Sequence, residues 1–162
     1  ITMSGGTVTV DGPTNGGNGA LDYGGTFDVS GGSLVAAGAS GMAQTVSDSS
    51  TQGTIAITFD SVQSAGTLIS IKNSSGDTVV TYQPAKDYQT IVISTKELIT
   101  GDTYSIVSGG TANTEPQNGL FDTGSETTGT ELGSFTLSEN TASVSQSGET
   151  ISMSQMAGPG GR

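Results

Sequence analysis

The chain has no Cys, no His and no Trp, and only four Lys or Arg among its 162 residues. Each absence removes a class of chemistry. Without Cys there is no disulfide scaffold, no thiolate metal site and no thiol nucleophile. Without His there is no imidazole base and no Ser-His-Asp triad, and zinc sites built on His or Cys are excluded too. The few cations face 15 Asp and Glu, giving a formal net charge of −11 and a pI near 4.1. Such a chain repels nucleic-acid phosphates and offers no basic patch to hold them. No apolar run approaches the roughly 20 residues needed to cross a bilayer. Ile1 is not an initiator Met and no signal peptide is visible, so a mature, trimmed or fragment chain is expected.

What fills the sequence is Gly, Ser and Thr: 26 Gly and 48 Ser or Thr make up nearly half of it. The hydrophobic fraction of 31% is low, and low hydrophobicity with high net charge is also the mark of disorder. The apolar pattern points the other way. Val8–Val10, Ile55–Phe59, Leu68–Ile71, Val79–Tyr82, Ile91–Ile93 and Tyr104–Val107 are short runs rich in Val, Ile, Thr and Tyr, fenced by Gly, Asp, Asn and Ser. That is strand composition with turn punctuation, so an all-β protein is expected. The one helix candidate, Ser94–Leu98, is a single turn.

Residues 1–50 contain an internal repeat at an offset of 26 residues. Ile1-Thr2-Met3-Ser4-Gly5-Gly6-Thr7-Val8 lines up with Phe27-Asp28-Val29-Ser30-Gly31-Gly32-Ser33-Leu34. Strand–turn–strand units repeating at 20–50 residues suggest a solenoid, here a parallel β-helix, with Ile1, Met3, Phe27 and Val29 stacked inward. A third Ser-Gly-Gly, at Ser108–Gly110, is out of phase and reads as coincidence. Residues 54–108 read differently, as five strands starting near 54, 67, 78, 89 and 103, with hairpin chemistry at Asn73–Asp77. They suggest a small antiparallel β-sandwich-like module. Residues 109–133 form a long acidic loop, 134–154 supply terminal strands including Ile151–Met153, and 155–162 read as a flexible tail.

Asp11, Asn15, Asn18 and Asp22 fall among Gly-rich turns and are candidate calcium ligands, since calcium takes several oxygen donors. The same residues are also simply good turn formers. Sugar sites commonly stack an aromatic ring on a pyranose, which makes Tyr23, Tyr82 and Tyr88 the candidates, the Phe residues belonging to the core. The acidic residues are scattered and form no catalytic constellation, and residues 1–71 hold no Lys or Arg, so an enzyme is not expected.

The stretches ITMSGGTVTVDGP at 1–13, NGALDYGGTF at 18–27, VSGGSLVAAGASGMAQ at 29–44, TFDSVQSAGTLISI at 58–71 and KELITGDTYSIVSGG at 96–110 carry a further signal. Through them the chain resembles a bacterial carbohydrate-binding domain-containing family of clostridial secreted polysaccharide-binding β-helix proteins. The resemblance implies the last coils of a right-handed parallel β-helix carrying calcium, followed by a β-rich C-terminal module. It further implies binding of cellulose or acidic, pectin-type sugars at the bacterial surface. The family's Gly-Asp-Gly-Ile-Asp-Ser-Asn-Gly calcium pattern has its nearest match at Asn18–Gly25, where only Asp22 and Leu21 keep their places. The expectation is therefore a secreted, non-catalytic carbohydrate-binding module, extracellular or on the cell surface. The alternative is a structural protein that assembles into filaments through the open end of its solenoid.

Overall fold

Short runs of β-branched residues broken by turn residues give nine strands and no helix among the described residues, 1–152, of this computed structural model. The strands are β1 (Thr2–Asp11), β2 (Asp28–Gly38), β3 (Thr54–Gln63), β4 (Ile69–Asn73), β5 (Thr78–Tyr82), β6 (Tyr88–Thr95), β7 (Thr103–Ser108), β8 (Thr130–Thr136) and β9 (Thr141–Ser145). The expected helical turn at Ser94 is instead the end of β6 followed by a turn in which Leu98 N donates to Thr95 O at 3.1 Å. The expected tail at 155–162, and the end of the expected strand at Met153, lie outside the described residues.

The strands form two open sheets, β1-β2-β6-β3-β9 and β5-β4-β7-β8. The chain crosses between them at β3–β4, β5–β6, β6–β7 and β8–β9. Ile55, Ile57, Ile91, Ile93 and Val35 of the first sheet meet Ile69, Ile71, Tyr82, Tyr104 and Ile106 of the second in one apolar cluster. Burying each such side chain contributes about 1.5–3 kcal/mol. The first sheet is covered on its other face as well. Leu34, Ala36, Ala56 and Val92 point there and pack with Met3, Leu21, Phe27, Val29 and Val46. This explains why Leu34–Ala37, Ile55–Ile57 and Ile91–Ile93 are continuous apolar runs, because strands buried on both faces lose their alternation.

The two copies of the internal repeat lie side by side. β1 pairs with β2 in parallel, Thr2 opposite Asp28 and Val8 opposite Leu34, the same 26-residue offset that aligns the sequences. The connections that follow the two strands also touch, with Ala39 N donating to Pro13 O at 3.0 Å and the Tyr23 hydroxyl donating to Thr45 O. Met3, Phe27 and Val29 are buried as expected, but Ile1 is 66% exposed. Among the described residues no closed β-helix is formed. Neither sheet closes, β2 continues into an antiparallel pair with β6, and residues 1–50 and 54–108 thus share one sheet. A buried polar thread fastens that junction: Gln52 Nε2 donates to Ser94 Oγ (3.0 Å) and Gly32 O (3.1 Å), and Ser94 Oγ lies 2.8 Å from Thr54 Oγ1.

Candidate functional site

The β4–β5 hairpin turns tightly because Asn73 Oδ1 accepts from both Ser75 N (3.0 Å) and Asp77 N (2.9 Å), while Gly76 takes a φ of +86°. Facing it is the connection between β7 and β8. It runs from 109 to 129, since β8 starts at Thr130. Its middle lies along β5: Gln83 N donates to Gly119 O, Phe121 N to Thr81 O, and Gly124 N to Thr78 O. Its two arms clasp each other, with Thr128 N on Thr111 O (2.9 Å), Asn113 N on Glu126 O (3.1 Å) and Glu126 N on Asn113 Oδ1 (3.0 Å).

Between the hairpin and these arms is a cleft of about 580 Å³, within the range usual for ligand sites. Lys72, Asp77, Thr78, Asn113, Glu126 and Thr127 line it. The Lys72 ammonium donates to Thr127 O at 3.0 Å, and the only ion pair among the described residues is Lys96 with Glu97, so Lys72 is held by a neutral carbonyl. Thr127 is 8% exposed, and its Oγ1 is buried with no hydrogen-bond partner. That oxygen is closed off from solvent, so the exposed groups around it are the ones a guest meets. The cleft thus presents donors (ammonium, amide N–H, hydroxyls) beside acceptors (two carboxylates, an amide oxygen), which is what a polyhydroxylated ligand requires.

The three tyrosines expected to stack on sugar have other places. Tyr82 and Tyr88 are 0% and 1% exposed, so neither presents a ring face, and both are core residues instead. Tyr88 packs edge-on to Phe59 at 5.5 Å and donates its hydroxyl to Thr67 O at 3.0 Å; burial raises its pKa. The Tyr82 hydroxyl is pushed up to about 12, first by burial and then by the Asp11 carboxylate. Even so, hydrogen-bond geometry is not met: Tyr82 Oη and Asp11 Oδ1 are both buried without a partner. Tyr23 is half-buried, edge-on to Phe27 at 5.6 Å, with its hydroxyl tied to Thr45 O.

Of the four expected calcium ligands, Asn15 and Asn18 bond within their own turns. Asp11 Oδ1 is buried, Asn15 Oδ1 accepts from Gly17 N (3.1 Å), Asn18 Oδ1 accepts from Gly19 N (2.9 Å), and Asp22 is exposed. Among the described residues no group of three or more His, Cys, Asp or Glu side chains could hold a metal ion. Two of the four are carboxylates, and Asn15 and Asn18 each give a side-chain oxygen to a local backbone amide.

Sequence reasoning missed two features. Lys72 and Thr127 are 55 positions apart, and nothing local marks them as neighbours. Tyr104, 1% exposed, donates to Glu97 O (3.0 Å) and accepts from Ile99 N (2.7 Å), a tyrosine corner that locks the β6–β7 connection. The run Leu98-x-x-Gly101-x-x-Tyr104 carried that signal. No protein family, curated protein or solved structure matches the chain.

Proposed function

We propose that the protein is a non-catalytic carbohydrate-binding module of an extracellular or bacterial-surface protein, and that the Lys72–Glu126 cleft holds the sugar. The cleft carries this reading, because its lining brings together the Lys72 ammonium, the Asp77 and Glu126 carboxylates and the Thr78 and Asn113 side chains. The resemblance to polysaccharide-binding β-helix proteins supports it independently. Absence of His and Cys from the whole chain supports a binding rather than a catalytic role. A plant-type chain fits better than an acidic one: Lys72 stands with Asp77 and Glu126, and a protein of charge −11 repels uronates. We also read residues 1–52 as two stacked coils of a parallel β-helix, because repeat and pairing share one offset.

Nuclear magnetic resonance titration with a neutral β-glucan oligosaccharide tests the site. Amide shifts at Thr78, Asn113 and Glu126 to Thr128 are expected, with weak affinity because no aromatic ring lines the cleft. Glu126→Gln should weaken binding about ten-fold, the worth of a charge-assisted hydrogen bond. Shifts confined to Tyr23, or none, would remove the cleft as the site.

A further inference from the structure

Asn-Gly occurs three times in the chain, at Asn15–Gly16, Asn18–Gly19 and Asn118–Gly119. The pair has a chemistry of its own. The glycine nitrogen can attack the carbonyl carbon of the asparagine side chain and close a five-membered imide, because glycine carries no side chain to stand in the way. Whether it does so depends on where the fold holds that nitrogen, since a held contact between reacting atoms replaces a chance encounter. The three pairs are held differently.

Asn118–Gly119 is closed to the reaction. Gln117 and Leu120 bond each other through both backbones (2.8 and 3.0 Å), and Asn118 and Gly119 take φ of 50° and 81°, which makes the pair a type I′ turn. At the first central residue of such a turn ψ is about +30°. That places the Gly119 nitrogen nearly anti to the Asn118 Cβ, out of reach of Cγ. Gln83 N, donating to Gly119 O at 2.7 Å, holds the turn in place. At Asn15 the side-chain oxygen accepts from Gly17 N (3.1 Å), one residue beyond the nitrogen that would attack. Of the three, Asn18 is the one whose side-chain oxygen accepts from the next residue, Gly19 N, at 2.9 Å. That nitrogen stands against the amide it would attack, and Asn18 is exposed, so water reaches it.

We propose that Asn18–Gly19 is a site of spontaneous self-modification, and that isoaspartate formed there unlatches the connections that follow β1 and β2 from each other. Gly19 N bonds Asn18 Cγ, its proton passes through water to Nδ2, and the Cγ–Nδ2 bond breaks to release ammonia. Water then adds to one carbonyl of the imide. Opening at Cγ leaves aspartate in a normal chain, and opening at the α-carbonyl leaves isoaspartate, with the main chain running through Cγ. Either product carries one more negative charge, and nothing is oxidised or reduced. Gly19 has no room for the longer backbone. It is buried, and a Cβ on it would lie 2.6 Å from Met42 O and 3.1 Å from Ala43 Cα. The bonds just beyond, Tyr23 N to Gln44 Oε1 (3.1 Å) and the Tyr23 hydroxyl to Thr45 O, are the ones the lengthened chain pulls apart.

The test is to age the full chain in mildly alkaline buffer, folded and, separately, unfolded in guanidinium chloride. Peptide mapping by mass spectrometry follows each asparagine and separates isoaspartate from aspartate. In the folded chain Asn18 should convert at least about ten-fold faster than Asn15 or Asn118. In the unfolded chain the three should convert at similar rates, because the dipeptide is the same. Amides from Gly19 to Tyr23 and from Met42 to Thr45 should exchange hydrogen faster in the aged protein than in the fresh one, and should not change on ageing in Asn18→Ser. Unconverted Asn18, or conversion of Asn15 or Asn118 at an equal rate in the folded chain, would overturn the site. Conversion of Asn18 with unaltered hydrogen exchange would overturn its effect on the connections.

Discussion

Removing the hydroxyl of Tyr104 separates a tyrosine that is structurally bonded from one that is merely buried. In Tyr104→Phe the ring, 1% exposed, keeps its stacking on Phe135 at 5.6 Å, while Ile99 N and Glu97 O lose their partner in a part-buried turn. Two hydrogen bonds at about 1 kcal/mol each amount to a loss of about 2 kcal/mol, with part of it the cost of groups left unpaired. For a chain of this length that corresponds to a fall in Tm of about 4–8 °C. Tyr82→Phe is the matched control. Its hydroxyl is equally buried but has no hydrogen-bond partner, so its removal relieves a desolvated group and should be neutral or slightly stabilising. Calorimetry of both variants, with urea unfolding to confirm an unchanged m value, makes the comparison. Equal losses in the two variants, or a fall of less than about 1 °C in Tyr104→Phe, would refute the reasoning.

Alkaline pH should unfold the protein through the same residues. Burial raises the pKa of Tyr82 to about 12, and raises those of Tyr88 and Tyr104 above the usual 10.0. An acid with a folded pKa above its unfolded one lends stability that is complete below about pH 10 and is lost as pH rises through the folded values. The urea midpoint should therefore be flat up to about pH 10 and fall between about 10 and 12; a flat midpoint throughout would contradict it. Because Asn15 and Asn18 give their side-chain oxygens to local backbone amides, chelation of calcium should leave the Tm unchanged, and a fall beyond about 2 °C would support a site among Asp11, Asn15, Asn18 and Asp22.

The all-β class was legible because Gly, Asn and Asp mark the turns directly, and the strand starts expected near 54, 78, 89 and 103 lie within a residue of those observed. The repeat was legible as well, down to the register in which β1 meets β2. Its continuation was not. Whether β2 meets another coil or an antiparallel neighbour depends on β6, more than 50 residues downstream, and not on anything in the repeat. The misplacement of Tyr82 has the same origin. A tyrosine ending the run Val79-Val80-Thr81 is compatible with a sheet covered on one face or on both. What decides it is the first sheet, which packs over Tyr82, together with residues 119–121, laid along the edge of β5 by a connection that reads as an acidic loop. The cleft was hidden for that reason too, since it exists only where this connection folds back against the hairpin.

Among the described residues, no two strands of the five-stranded sheet form a hairpin with each other. Its only sequential neighbours, β1 and β2, are parallel, and its centre, β2-β6-β3, joins strands separated by whole excursions into the other sheet. Every pair in it must therefore be closed at the entropic cost of a long loop before it contributes anything. The four-stranded sheet has β4–β5, closed over the Asn73–Asp77 turn. Time, rather than stability, is what this asymmetry governs: the hairpin closes over a short loop while the larger sheet waits on long ones, which puts folding in the roughly milliseconds to seconds typical of non-local β topologies.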